Sequence, residues 1–233
     1  ENNLEKWIKI LNSKQIISVD TETSSLNPVD TDLVGISFSY APNKACYIPL
    51  NHNDKNTLDE KLVLKKIKNI LEDPSIIKVG QNIKFDFIVL NQRGINIQSL
   101  EDTMLISYTL DAGVNRHGLD TLSELHLNHK TISYKDVVGT GKNKLNFQDV
   151  DIKKSTEYAA EDADVTLRLY NNLKDRLDNE KLNKVYEYFE KPMIKILSVL
   201  ECNGIKVDEN YLKKLSKKYQ NRISSIEKDI YSL

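Results

Sequence analysis

The sequence predicts an α/β domain on a mixed sheet, followed by a helical tail, and three patterns carry that reading. Three short strand-like runs, at 15–20, 33–40 and 45–50, follow one another with brief connections and read as an antiparallel meander. Helical periodicities are interspersed from about residue 57 and dominate the second half. The tail, 179–233, reads as helices alone, which divides the chain into a domain at 1–178 and a helical appendage.

Leu4, Trp7, Ile8 and Leu11 recur at helical spacing and give the first helix. The strand at 15–20 follows, then those at 33–40 and 45–50, with the turn Ala41-Pro-Asn-Lys44 between them. Thr57 is placed to cap a helix carrying Leu58, Leu62, Leu64, Ile67 and Leu71. Residues 76–80 read as a strand and 82–93 as the next helix, with Asn82 as its cap and Gly94 closing it. Between 103 and 145 short helices are broken by Gly113, Gly118, Gly139 and Gly141, and the clearest helix spans about 152–177. In the tail, Leu182, Val185, Phe189, Ile196 and Leu200 precede Gly204, and Leu212, Leu215, Tyr219, Ile223, Ile226 and Ile230 follow it, the pattern of an antiparallel helical hairpin. Pro192 is expected to start a helix after a bend, because its ring is tolerated in a first turn and not mid-helix.

Bulk properties exclude several classes. With 233 residues, 39% hydrophobic and 29% charged, the chain is an ordinary soluble protein with room for a full core. A net charge of −1 offers no general attraction to nucleic acid, so any such contact must be local. Cys46 and Cys202 are too few and too far apart for a zinc site or a disulfide framework, which argues for a reducing compartment. No apolar run approaches the ~20 residues of a membrane span and the N-terminus has no signal-peptide pattern, so no membrane partner is expected. A cytoplasmic location is the default, with an organelle left open because the chain starts at Glu1 and stops inside a helical pattern, as a piece of a longer protein would. Seven basic against four acidic residues over 204–233 read as a solvated helix face.

Chemistry enters through acids. Asp20 and Glu22 end an apolar strand at i and i+2, so they point to the same side and repel. Asp86 falls one turn into the helix after Gly80, where an acid is favoured for structural reasons alone, and Gly80 either makes the turn or lets backbone approach a ligand. Tyr158 and Asp162, four apart, share one helix face, with alanines between them that let another element come close; Glu161 and Asp164 are rotated away and read as solvated. Each feature has a bland explanation by itself. Four acids from three elements, each beside core sequence, nevertheless argue for one cluster, and clustered carboxylates without Cys or His select hard ions such as Mg²⁺ or Mn²⁺. The chemistry that such a cluster implies is phosphoryl hydrolysis with two ions ~4 Å apart.

Asp20-x-Glu22, Gly80-Gln-Asn82-x-Lys-x-Asp86 and Tyr158-x-x-x-Asp162, in this order, resemble the three motifs of the DEDD exonuclease superfamily in its tyrosine variant. Tyr158-Ala-Ala-Glu-Asp-Ala-Asp-Val-Thr-Leu-Arg168, Asp102-Thr-Met-Leu105, Arg116-His-Gly-Leu-Asp-Thr-Leu122 and Gly139-Thr-Gly-Lys-Asn-Lys144 are further similar to the proofreading domain of the bacterial DNA polymerase I family. Glu190-Lys-Pro-Met193 and Glu201-Cys-Asn-Gly-Ile-Lys-Val-Asp208 resemble the start of that family's polymerase domain, so the likeness covers nearly the whole chain.

The resemblance implies a ribonuclease H-like exonuclease fold that removes nucleotides from the 3′ end of single-stranded or frayed DNA, as a monomer and as part of a longer polymerase chain. It implies that Asp20, Glu22 and Asp162 hold a first divalent cation, that Asp20 bridges to a second, and that Asp86 reaches the second largely through water. Tyr158 would position the attacking water; with an ordinary pKa of about 10 it is a poor base at neutral pH. Leu26 corresponds to an apolar wedge between the last bases, its alternative being a strand-end core leucine. Gln81 and Asn82 match contacts to the terminal nucleotide, and Tyr134 an aromatic beside it on which any base can stack. Phe85 stands where the family often has tyrosine. Arg116 is a phosphate contact or a structural ion pair, and His52, His117, His126 and His129 are structural or exposed. Two further readings stay open: an inactive exonuclease fold kept as a scaffold, against which the four acids and the tyrosine weigh, and an RNA-trimming relative of ribonuclease D, against which the tail weighs.

Overall fold

Strand β1 (Ile16–Thr23) is rich in β-branched residues, which suit a pleated, largely buried backbone. It pairs antiparallel with β2 (Leu33–Ala41), and β2 with β3 (Lys44–Pro49), forming the expected meander. On its other edge β1 pairs parallel with β4 (Ile77–Gly80), and β4 with β5 (Leu100–Asp102), so the mixed sheet has the order β3-β2-β1-β4-β5. Periodicity did not announce β5, since three residues are too few for alternation to register. The computed structural model describes residues 2–54, 56–141 and 144–232; Lys142 and Asn143 of the 139–144 motif lie outside the described residues, as do Glu1, Lys55 and Leu233.

Alternation along β1 sorts its side chains into two layers. Ile17 and Val19 join an apolar core with Ile36, Phe38, Ile67 and Val89, against α1 (Asn2–Asn12), α2 (Glu60–Glu72) and α3 (Lys84–Asn91). Ser18, Asp20 and Glu22 turn to the opposite face, crossed by α7 (Ile152–Asn179), where the Ser18 hydroxyl donates to the Ala163 carbonyl at 2.7 Å. Val79, Ile106, Leu122, Val165, Leu169 and Leu173 form the core on that side with α4 (Thr103–Asp111) and α5 (Leu119–Leu127). Each such buried aliphatic contributes ~1.5–3 kcal/mol, so both faces are held firmly.

Two caps differ from expectation. Helix α2 starts at Glu60, and Asp59 rather than Thr57 caps it by accepting from the Leu62 amide, a carboxylate being the better partner for open N–H groups. Helix α3 starts at Lys84, and Asn82 is not its cap but stands in the left-handed region with φ 57°. The open amides of Asn82 and Ile83 donate instead to Asp102 at 3.1 and 3.0 Å, and the same carboxylate caps α4 through the Met104 and Leu105 amides. Burial pushes Asp102 up to about 6 against those four bonds. Gly80 makes the preceding turn possible, because a Cβ there would lie 2.7 Å from Ile83.

The chain divides into compact units at 1–202 and 203–233. Within the first, α7 is followed by α8 (Asn183–Val185), a π turn (Tyr186–Glu190) and α9 (Lys191–Asn203). Pro192 does sit in the first turn of a helix, but a π turn stands in place of the expected bend, with the Lys191 amide reaching the Tyr186 carbonyl. Tyr186 is wholly buried and its hydroxyl accepts from the Asp102 amide at 3.0 Å, while Lys191 pairs with Glu101 at 2.6 Å. Residues 179–202 are thereby packed into the first unit. The second unit is α10 (Glu209–Tyr231), capped by Asp208 on the Tyr211 amide, with Leu212, Tyr219, Ile223, Ile226 and Ile230 exposed. Among the described residues no helix is long and apolar enough to cross a membrane.

Candidate active site

Asp20 and Glu22 lie opposite Ser37 and Gly35 of β2, and a register shift after Glu22 ends the regular pairing. One carboxylate oxygen each of Asp20, Glu22 and Asp162 lie within 4.8 Å of one another. Asp162 comes from α7, brought over the end of β1 by the Ser18 contact and by the small Ala159 and Ala163 beside it. Asp86 arrives from the other layer on α3, where one of its oxygens accepts from both the amide and the hydroxyl of Thr21. All four acids, with Tyr158, line one cleft of about 490 Å³. The structure thus brings together in space the five residues that the motifs single out.

The electrostatics of this cluster are unbalanced. Among the described residues no Lys or Arg forms an ion pair with any of the four acids, and Lys144 is the one cationic side chain in the cleft wall. Burial pushes Asp20 up to about 6. Glu22 is pushed up by burial and then by the charges of Asp20, Asp162 and Asp86. Burial and Asp20 do the same to Asp86, against the two Thr21 bonds, and to Asp162, against Tyr158. Tyr158 itself is held well above its ordinary value by burial and the neighbouring acids, which keeps the phenol protonated. Three converging oxygens, with no softer donor among them and no ion-paired Lys or Arg among the described residues, form a donor set that fits a hard divalent cation.

Residues around the cluster divide into those that reach the cleft and those that do not. Leu26 is 95% exposed on the cleft rim, which rules out the core-leucine alternative. Its loop is stiffened by the Ser24 amide on the Asp32 carbonyl and the Ser25 amide on the Thr31 hydroxyl. Asn82 lines the cleft with no side-chain hydrogen bond among the described residues. Gln81 also lines it, but its amide donates to the His117 carbonyl at 2.7 Å and accepts from Thr103, so it braces the strand end against the 116–118 loop. Tyr134, the first residue of α6 (Tyr134–Val138), stacks on Phe147 with ring centroids 6.3 Å apart and meets Tyr158 edge-on at 6.1 Å. Arg116 is exposed, lies outside the cleft wall and has no ion pair among the described residues.

The flanks of α7 differ from expectation. Glu161 is not solvated: it accepts from the Ile132 amide at 2.6 Å and bonds His129 at 2.8 Å, tying the loop before Tyr134 to the helix. Asp164 is buried and accepts from the Asn43 amide in the β2–β3 turn. Neither acid is solvated because a helix packed on more than one side has no single solvent face. Thr21 and Phe147 were missed; strand alternation places Thr21 on the α3 side, whereas nothing local marks Phe147, whose role depends on three distant rings.

Comparison with known proteins agrees with this geometry. A family model described as 3′-5′ exonuclease matches residues 1–178. DNA polymerase I of Rhizobium leguminosarum is 42% identical over 99% of this chain and 25% of its own length, and the chain spans about a quarter of the curated relatives it matches. Among solved structures, the POL domain of Pol1 from M. smegmatis, in complex with DNA primer-template and dNTP, matches 96% of this chain and 35% of its own with a TM-score of 0.74 at 20% identity, a likeness of fold. NrnC of Brucella melitensis with bound Mg²⁺ matches 80% of this chain and 83% of its own with a TM-score of 0.63 at 25% identity. The fold is the ribonuclease H-like exonuclease fold.

Proposed function

From the premise that this chain belongs to the 3′-5′ exonuclease family of DNA polymerase I, we propose that it hydrolyses the last phosphodiester at the 3′ end of single-stranded or frayed DNA and so edits newly made strands. The observation that carries this reading is the convergence of Asp20, Glu22, Asp86 and Asp162 with Tyr158 in one open cleft. Asp20, Glu22 and Asp162 are the residues to hold one divalent cation, Mg²⁺ or Mn²⁺, and Asp20 with Asp86 those for a second. When bound, such ions activate water and neutralise charge on the leaving oxygen.

The remaining work falls to the chain itself. Tyr158, protonated at every physiological pH, orients the attacking water through its hydroxyl and does not remove the proton. The water oxygen bonds to phosphorus and gives up a proton to solvent, the bond to the 3′ oxygen of the preceding nucleotide breaks, and that oxygen takes up a proton from solvent as a nucleoside 5′-monophosphate leaves. Leu26 on its stiff loop parts the last bases, Tyr134 offers a face for stacking, and Asn82 offers a free amide to the terminal nucleotide. Residues 179–233 begin the polymerase domain by sequence, although 179–202 pack with the first compact unit, and the relative's match over 99% of the chain, well past residue 178, supports this reading.

A 3′-labelled single strand incubated with the 233-residue chain and Mg²⁺ is expected to release labelled mononucleotide, and Asp162→Asn to stop the release. No shortening in Mg²⁺ or Mn²⁺ overturns the proposal in favour of an inactive scaffold. Faster shortening of an RNA of the same sequence overturns the DNA assignment in favour of RNA trimming.

A further inference from the structure

Tyr47 and His52 form a buried pair behind the cleft, and neither lines it. The Tyr47 phenol lies over Gly35, the strand partner of Glu22, where a Cβ would come within 2.1 Å of the phenol oxygen. That oxygen is 2.7 Å from His52 Nε2. Burial raises the phenol's pKa and lowers the imidazole's, so the bond joins an uncharged phenol to an uncharged ring. The imidazole also lies beside the Gln148 and Val150 carbonyls. Nδ1 makes no hydrogen bond of good geometry among the described residues.

The imidazole also packs on the turn that reaches the catalytic tyrosine. His52 and Phe147 have ring centroids 5.9 Å apart, and Phe147 and Tyr158 are again 5.9 Å apart. The next residue, Asn53, stitches the same two segments together: its amide donates to the Gln148 carbonyl at 2.9 Å and its side chain to Asp149. A hydrogen bond at one end and two ring contacts thus connect β3 to Tyr158.

We propose that His52 is a positioning residue for the hydrolysis, anchored by Tyr47 and acting through Phe147 to set the ring of Tyr158 over the acid cluster. The inference rests on the nuclease reading above. Its leverage is geometric, since a misplacement on the order of 1 Å in a positioning group costs about 100-fold in rate.

The test is a double-mutant comparison in the 233-residue chain on 3′-labelled single-stranded DNA with Mg²⁺. His52→Ala is expected to lower kcat about tenfold with KM within about twofold, and to cost less than about twofold once Tyr158→Phe is already present. His52→Gln, whose terminal amide stands near the place of Nε2, restores the rate, while His52→Asn does not. The same loss in both backgrounds, or a loss that only follows the melting temperature, overturns the proposal. Should His52→Ala fail to fold, Tyr47→Phe decides, because it removes the bond and almost no volume; it must show the same non-additive loss. A second readout needs no turnover: the ring resonances of Tyr158 in the metal-free chain should move in His52→Ala and stay in His52→Gln. Unmoved resonances overturn the positioning role, whereas a wild-type chain that leaves DNA intact overturns the nuclease reading alone.

Discussion

The amide and the hydroxyl of Thr21 both donate to one oxygen of Asp86, at 2.8 and 2.6 Å. The residue between the paired strand acids therefore fastens the third acid, from the opposite layer, to the same strand end. Thr21→Val retains shape and the amide bond and loses only the hydroxyl. Stability is expected to fall by about 1 kcal/mol in urea unfolding. The Mg²⁺ concentration for half-maximal hydrolysis should rise about tenfold, as for other groups that orient a ligand. An unchanged Mg²⁺ midpoint would separate Asp86 from cation binding.

Glu161 offers a contrasting case on the other flank. Its two oxygens hold the Ile132 amide and His129, and so the segment that leads to Tyr134. Because Tyr134 is read as a stacking surface and not a reacting group, Glu161→Ala should raise KM for single-stranded DNA about fivefold and leave kcat within about twofold. A fall in kcat at constant KM would show instead that Glu161 acts on Asp162.

These two residues mark what was legible in the sequence. Strand alternation put Asp20 and Glu22 on one side, and the i, i+4 spacing put Tyr158 beside Asp162, because both rules act within a single element. The meander was legible for the same reason, its strands being consecutive and its turns short. What stayed hidden depends on distant partners. Asp102 caps an α3 that starts 18 residues before it, Glu161 meets residues 29 and 32 positions away, and Gln81 is satisfied by a carbonyl 36 positions away. No local pattern distinguishes such a residue from a solvated one, so the expectation of a cap at Asn82 and of a solvated Glu161 fails.

Leu26 provides a test in which stability and activity separate. A side chain 95% exposed adds nothing to the core, so Leu26→Ala should leave the melting midpoint within the equivalent of about 0.5 kcal/mol. If it parts the terminal bases, removal of nucleotides from a paired 3′ end should slow more than removal from a single strand of the same sequence. Equal slowing on both substrates would make it a plain apolar contact.

Lys78 on β4 gives a prediction about pH that does not involve the cleft. Its side chain is wholly buried, and among the described residues its ammonium has one partner, the Asp73 carbonyl at 2.6 Å, for three protons. Burial pushes the group down to about 8, partly opposed by the charge of Asp73, against 10.5 for a free lysine. Below about 8 both folded and unfolded chains carry the proton, and the folded state bears the cost of a buried cation. Between about 8 and 10.5 the unfolded chain holds a proton that the folded chain has released, so stability must rise with pH across that window. Lys78→Met keeps the apolar stem and removes the charge. It should be at least as stable as wild type at pH 7 and should lose the upward slope. Urea unfolding of both chains at intervals from pH 7 to 10 checks this. Parallel curves would mean that the lysine is solvated in the folded state, and that β4 tolerates its charge because water reaches it.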